Sequence, residues 1–133
     1  MATYYAASAF ADFKTAYLQR EVVLDVVGVA SETMTVGQIF SMSGNQINPL
    51  VVGSGADASA AIASAIGAVT EGMYIVAQGD QTMEYGHVPV EYADYKYDPK
   101  VYLTSGGTKK VAAFMITNLA DINLRGTAYS YSA

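Results

Sequence analysis

The sequence predicts an α+β fold: a small β-rich domain of about seven short strands, one Ala-rich helix, and an N-terminal helix or arm. Three observations carry this. Strand-length runs of β-branched and aromatic residues recur between Gly-, Ser- and Asn-rich breaks. One segment, residues 58–69, is rich in Ala, the best helix former. Strands and helices do not alternate regularly, so a wound parallel sheet is not expected. At 133 residues the chain has the length of a single domain. A chain of that size buries roughly two-thirds of its unfolded surface, which is enough for a real core.

Residues 1–20 are expected as an N-terminal helix or arm and residues 21–133 as one β-rich domain. Phe10, Phe13 and Tyr17 recur at spacings of three and four, which fits one helix face. The same segment also reads as an arm that orders on a partner, or as an ordinary packed terminus. Residues 22–30 (Val-Val-Leu-Asp-Val-Val-Gly-Val-Ala) read as a strand with Asp25 turned to water. Residues 35–42 form the next strand, and Ser43-Gly44-Asn45-Gln46 a turn. Residues 47–52 follow as a short strand that Pro49 pushes toward an edge. After Gly53-Ser54-Gly55, Asp57 caps a helix over residues 58–69. Its narrow apolar stripe is Ile62, Ile66 and Val69, and Gly72 stops it. Residues 73–77 and 82–85 read as strands, with Pro89 in an edge or loop. Residues 91–102 alternate tyrosines with charges: in an extended chain Tyr95 and Tyr97 share one face, with Asp94, Lys96 and Asp98 on the other. A Ser105-Gly106-Gly107-Thr108 turn leads to a strand over residues 109–118. Ile122, Leu124, Tyr129 and Tyr131 then alternate toward the C-terminus.

Composition narrows the function. Hydrophobic residues make up 52% of the chain and charged residues 14%. Ordinary soluble domains carry about 25% charged residues. Disorder is excluded, because it needs low hydrophobicity and high charge. The deficit leaves few charges to coat a free surface, so some surface is expected to face another protein. The aromatics are eleven Tyr and four Phe, with no Trp. Tyr joins an apolar ring to a polar end and suits half-buried surfaces. Twelve acids against seven bases give a net charge of −5. That sign and the lone Lys109-Lys110 pair speak against a nucleic-acid partner. There is no Cys, which removes disulfides, thiolate nucleophiles and Cys-based metal sites. No basic region followed by an apolar run opens the chain, and residues 58–69 are too short to span a bilayer. No membrane partner is expected, and the chain reads as made in the cytoplasm.

The residues for chemistry are scarce. His87 is the single histidine, and it sits in a Gly-His-Val-Pro turn with no nucleophile elbow elsewhere. Asp94 and Asp98 flank Lys96, which opposes a cation, and the alternating oxygen ligands of a calcium loop are missing. Asp80, Glu84 and Glu91 read as solvated acids. No phosphate-binding Gly-rich loop with its Lys is present. The expectation is therefore no enzyme, no cofactor and no metal.

The order of segments carries a resemblance. A β-rich region passes a Gly-rich break into Ala58-Ser59-Ala60-Ala61-Ile62-Ala63. It leaves through Gly67-Ala68-Val69 and Met73-Tyr74-Ile75-Val76-Ala77-Gln78-Gly79-Asp80-Gln81-Thr82. It then reaches Lys109-Lys110-Val111-Ala112-Ala113-Phe114 before a final apolar strand. Over residues 53–119 this order resembles the lambda-type head decoration (cement) proteins of tailed bacteriophages. The resemblance implies a small β-rich domain on the capsid surface, a homotrimer, and an N-terminal arm that engages the major capsid protein. Residues 2–20 depart from the family's arms, which are often polar and Pro- or Gly-containing.

Two functions from different classes follow. The first is a structural virion protein that decorates and stabilises a phage capsid by multivalent contacts. Shell contact is then expected at Tyr4, Tyr5, Phe10, Phe13 and Tyr17, on an arm removable without unfolding the domain. Subunit contact is expected near Tyr92, Tyr95, Tyr97 and Tyr102, since aromatics concentrate in interface cores. For each Tyr the competing reading is packing within its own domain. The second function is a carbohydrate- or host-surface-binding module, with Tyr faces stacking on sugars and Asp94 and Asp98 accepting from hydroxyls.

Overall fold

The computed structural model describes residues 3–16, 18–28, 32–54, 57–77, 81–83, 95–97 and 100–132. Among them the chain is α+β and β-rich, with twelve strands and one long helix. Tyr17, His87, Tyr92, Asp94 and Asp98 lie outside the described residues, as do Asp80, Glu84, Pro89 and Glu91. The side chains of Phe13, Tyr95 and Tyr97 lie outside them too.

Two layers share one wall. The first is a closed barrel of β11 (Thr108–Met115), β2 (Arg20–Val27), β5 (Gln46–Pro49), β4 (Ile39–Ser43) and β7 (Tyr74–Val76). Its inside is filled by Val26, Phe40, Ile47, Val76, Val111 and Ala113. Phe40 stacks on Tyr74 with ring centroids 5.5 Å apart. A pair of strands, β3 (Glu32–Thr35) and β10 (Lys100–Leu103), adds Met34, Val101 and Leu103 to the same core. Each large side chain buried this way contributes about 1.5–3 kcal/mol. The period of two then turns the alternate wall residues Ile39, Ile75 and Phe114 into a second core. Outside the barrel, Lys110 pairs with Asp25 at 2.9 Å, but both are exposed, so the pair adds about 0–1 kcal/mol.

The second layer is a three-stranded sheet in the order β12 (Leu124–Ser132), β1 (Thr3–Ala11), β6 (Val51–Ser54). Helix α2 (Ala58–Gly67) packs on this sheet, and their shared core takes in Ile39, Ile75 and Phe114 of the barrel wall. Asp57 caps this helix by accepting from the Ser59 N–H at 2.9 Å, as its position predicts. The buried helix face is Ala61 and Ala65, continued by the expected Val69, whereas Ile62 and Ile66 of the expected stripe are half-buried. The helix is turned by about one residue because it presses on a strand of alanines. Ala7, Ala9 and Ala11 of β1 are fully or almost fully buried beneath it. On β12, Gly126 leaves room for Ile62: a Cβ there would stand 2.8 Å from the Ile62 Cγ2.

The largest departure is at the N-terminus. The helical spacing of Phe10, Phe13 and Tyr17 does not put Phe10 in a helix, and residues 3–11 do not stand apart as an arm. They form β1, paired along all nine residues with β12 and at Tyr5–Ser8 with β6. Among the described residues of this region, the helix is the single turn α1 (Phe13–Ala16). The physical reason is a period-two pattern hidden under the aromatic spacing: Tyr5, Ala7, Ala9 and Ala11 all fit the tight side of the sheet.

Two expected strands are each divided. Residues 35–42 break at Gly37, whose φ of +91° belongs to a turn. Residues 47–52 divide after Pro49, so that β5 stays in the barrel and β6 joins the outer sheet. Gly37 also joins the layers. Its N–H donates to the Val76 carbonyl and its own carbonyl accepts from the Ala11 N–H, both at 2.8 Å. Within the barrel layer, the buried Gln19 ties the segment before β2 to the one after β11. Its Nε2 donates to the Asn118 carbonyl at 3.1 Å, and its Oε1 accepts from the Thr117 and Asn118 N–H groups at 2.9 and 3.0 Å.

Two outcomes test this account. A Cβ on Gly37 would sit 2.9 Å from the Ala11 carbonyl oxygen in a backbone region that L-residues avoid. Gly37→Ala is expected to lower unfolding free energy by about 1–3 kcal/mol in urea titrations. Removing residues 2–20 takes out the central strand, so the truncated chain is expected to lose its cooperative thermal transition.

Candidate functional site

The outer face of the three-stranded sheet is built by strict alternation. In β1 the residues turned away from α2 are Tyr4, Ala6, Ser8 and Phe10. In β12 they are Arg125, Thr127, Tyr129 and Tyr131. The register sets them side by side as Tyr4–Tyr131, Ala6–Tyr129, Ser8–Thr127 and Phe10–Arg125. Val51 of β6 stands opposite Ser8.

Direct cross-strand pairs are close enough to interact. The Tyr4 and Tyr131 rings lie 5.9 Å apart and tilted by 30°. The Arg125 guanidinium carbon sits 4.7 Å above the centre of the Phe10 ring, a cation–π contact. Tyr129, Tyr131 and Val51 keep 55%, 40% and 46% of their surface exposed. The smaller Ala6, flanked by these rings, is buried. The result is a flat apolar and aromatic face whose single charge, Arg125, is spread against a ring. At its Phe10 end a groove of about 300 Å³ is lined by Ala11, Asp12, Val36, Asn123, Leu124 and Arg125.

The structure brings together only part of the expected shell-contact set. Tyr4 and Phe10 lie on this face. Tyr5 points the opposite way and packs, partly buried, against the core beside α2. Arg125, Tyr129, Tyr131 and Val51 complete the face. The alternation of Tyr129 and Tyr131 was the signal for two of them, but nothing local ties that strand to Tyr4. The expected subunit contacts lie elsewhere. Tyr95 and Tyr97 belong to β9 (Tyr95–Tyr97), which pairs with β8 (Gln81–Met83). Tyr102 is exposed on β10, opposite Thr33 of β3, and its carbonyl accepts from Lys109 at 2.9 Å.

Among the described residues no group of three or more His, Cys, Asp or Glu side chains could hold a metal ion. No helix of the described residues is long and apolar enough to cross a membrane. No protein-family model, curated protein or solved structure matches the chain.

The Phe10–Arg125 contact should be measurable. In a double-mutant cycle with Phe10→Leu and Arg125→Met, the coupling in urea unfolding is expected at about 0.5–1 kcal/mol.

Proposed function

We propose that this chain is a structural, non-catalytic virion protein that decorates and stabilises a bacteriophage capsid. The observation that supports this best is the outer sheet face, where Tyr4, Phe10, Tyr129, Tyr131 and Val51 stand together with one charge among them. Aromatic residues concentrate at the cores of protein interfaces and charged residues are depleted there. A rigid, flat face of this kind suits a repeating protein surface such as the major capsid protein in a shell. Its backbone is already ordered in the sheet, so docking costs little conformational entropy. The shell contact is thus a folded face and not a detachable arm. Repeated weak contacts then add through effective concentration when the protein is a homo-oligomer.

A second reading draws on the same two rings. Tyr129 and Tyr131 are exposed on a flat surface, where a sugar ring can stack, so a carbohydrate- or host-surface-binding module uses the same feature. One experiment separates the two. The double variant Tyr129→Ser with Tyr131→Ser is added to purified phage shells lacking the protein, beside the parent chain. Decoration requires that shell binding weaken by roughly 30-fold or more, the loss of at least one interface hot spot. Unchanged shell binding, with saturable sugar binding that the variant loses, would transfer the function to the carbohydrate reading.

A further inference from the structure

The ladder between β1 and β12 determines which backbone groups of β12 are left over. In an antiparallel pair, alternate residues direct both N–H and C=O toward the partner strand. The Asp12 N–H donates to the Asn123 carbonyl at 2.9 Å, in line with the β1–β12 register. Asn123 therefore faces β1, and so do Arg125, Thr127, Tyr129 and Tyr131. On the other side of β1, Ala11 donates to Gly37 at 2.8 Å, which confirms the alternation. Leu124, Gly126, Ala128, Ser130 and Ser132 then direct their N–H and C=O groups outward from the sheet edge. Among the described residues no backbone partner meets them.

Native proteins usually blunt such an edge with charges or proline. The contrast lies within this chain. β2, whose far side pairs only at Val27 among the described residues, carries Arg20, Glu21 and Asp25. β12 has nine residues, no proline and one charge, Arg125.

We propose that the β12 edge is a self-pairing interface, occupied by β12 of a second copy of this chain in an antiparallel two-fold pair centred on Ala128. The pairing is self-consistent in three ways. First, a two-fold centred on Ala128 sets Gly126 against Ser130 and Leu124 against Ser132 of the second copy. Every outward group then meets another outward group, with roughly ten hydrogen bonds. Second, the charges are compatible. Arg125 lies opposite Tyr131 of the second copy, so each cation meets an aromatic ring and not its own copy. Third, α2 offers little bulk to a neighbouring helix. It lies over both β1 and β12, with the Ile62 Cα 3.4 Å from where a Cβ on Gly126 would stand. The exposed side of α2 carries Ser59, Ala60, Ala63 and Ser64, all small. The other open edge, β6, has four residues and matches β12 less well in length.

The two sheets become one six-stranded sheet, and the aromatic faces join into one of double width. This arrangement is two-fold, unlike the homotrimer that the phage resemblance implies. It stands apart from the shell reading, because self-association is measured without any shell.

The test uses the full chain. Sedimentation equilibrium over a dilution series is expected to show a dimer dissociating to a monomer. Hydrogen exchange at high concentration should then protect the amides of Leu124, Gly126, Ala128, Ser130 and Ser132, and dilution should release that set together. Ser130→Pro removes one outward N–H without touching the β1 ladder or any tyrosine. It is expected to give a monomer with an unchanged thermal transition. Should Ser130→Pro fail to fold, the exchange pattern of the parent chain alone decides. A monomer at every concentration would overturn the proposal. So would a dimer or trimer in which those five amides exchange freely.

Discussion

The closeness of helix α2 to strand β1 governs the rest of the molecule. No large side chain separates them. Ala7, Ala9 and Ala11 face Ala61 and Ala65, and Ile62 lies against Gly126. Each alanine methyl brings little transfer energy, about 0.8 kcal/mol per carbon. The gain comes from many short dispersion contacts along the seam. The seam also determines orientation. Since the small residues of β1 must face the helix, Tyr4 and Phe10 must face away. The aromatic face is thus a by-product of the alanine face, fixed by a period of two.

The two layers are joined by a polar tie of small extent. Gly37 reaches Val76 on one side and Ala11 on the other. Gln19 satisfies both ends of its amide against residues 117 and 118. Gln38, also buried, accepts from the Thr35 N–H at 3.1 Å. A buried amide with its partners in place costs little, whereas an unpaired one costs about 1–3 kcal/mol. These glutamines satisfy backbone groups at the ends and turns of barrel strands without ionic groups, in keeping with a chain so poor in charge.

The local elements were legible where one signal dominated. Asp57 before an alanine run marked the start of α2, and Lys109 to Met115 showed its β character plainly. The class, β-rich with one long helix, followed from these. The N-terminal strand was not legible because two periods overlapped there. The aromatic spacing of Phe10, Phe13 and Tyr17 spoke for a helix, while the alternation of Ala7, Ala9 and Ala11 carries no hydrophobic contrast against Ala6 and Ser8. Only pairing on both sides decided the outcome, and pairing partners from the far end of the chain leave no local mark. The site was half legible for the same reason. Tyr4 and Phe10 were visible as aromatics, but their neighbours Tyr131 and Arg125 are brought to them only by the β1–β12 register.

That register also bears on the order in which the protein can assemble itself during synthesis. Strand β1 emerges early and its longest partner, β12, more than a hundred positions later. Until then the alanine seam has a helix but only one short neighbouring strand, β6, to hold it flat. Closing so long a loop is entropically costly and slow. The barrel strands meet at shorter separations and can settle first. The outer sheet, and with it the aromatic face, is therefore completed last, so a ribosome-bound chain that has not yet released β12 has no finished aromatic face.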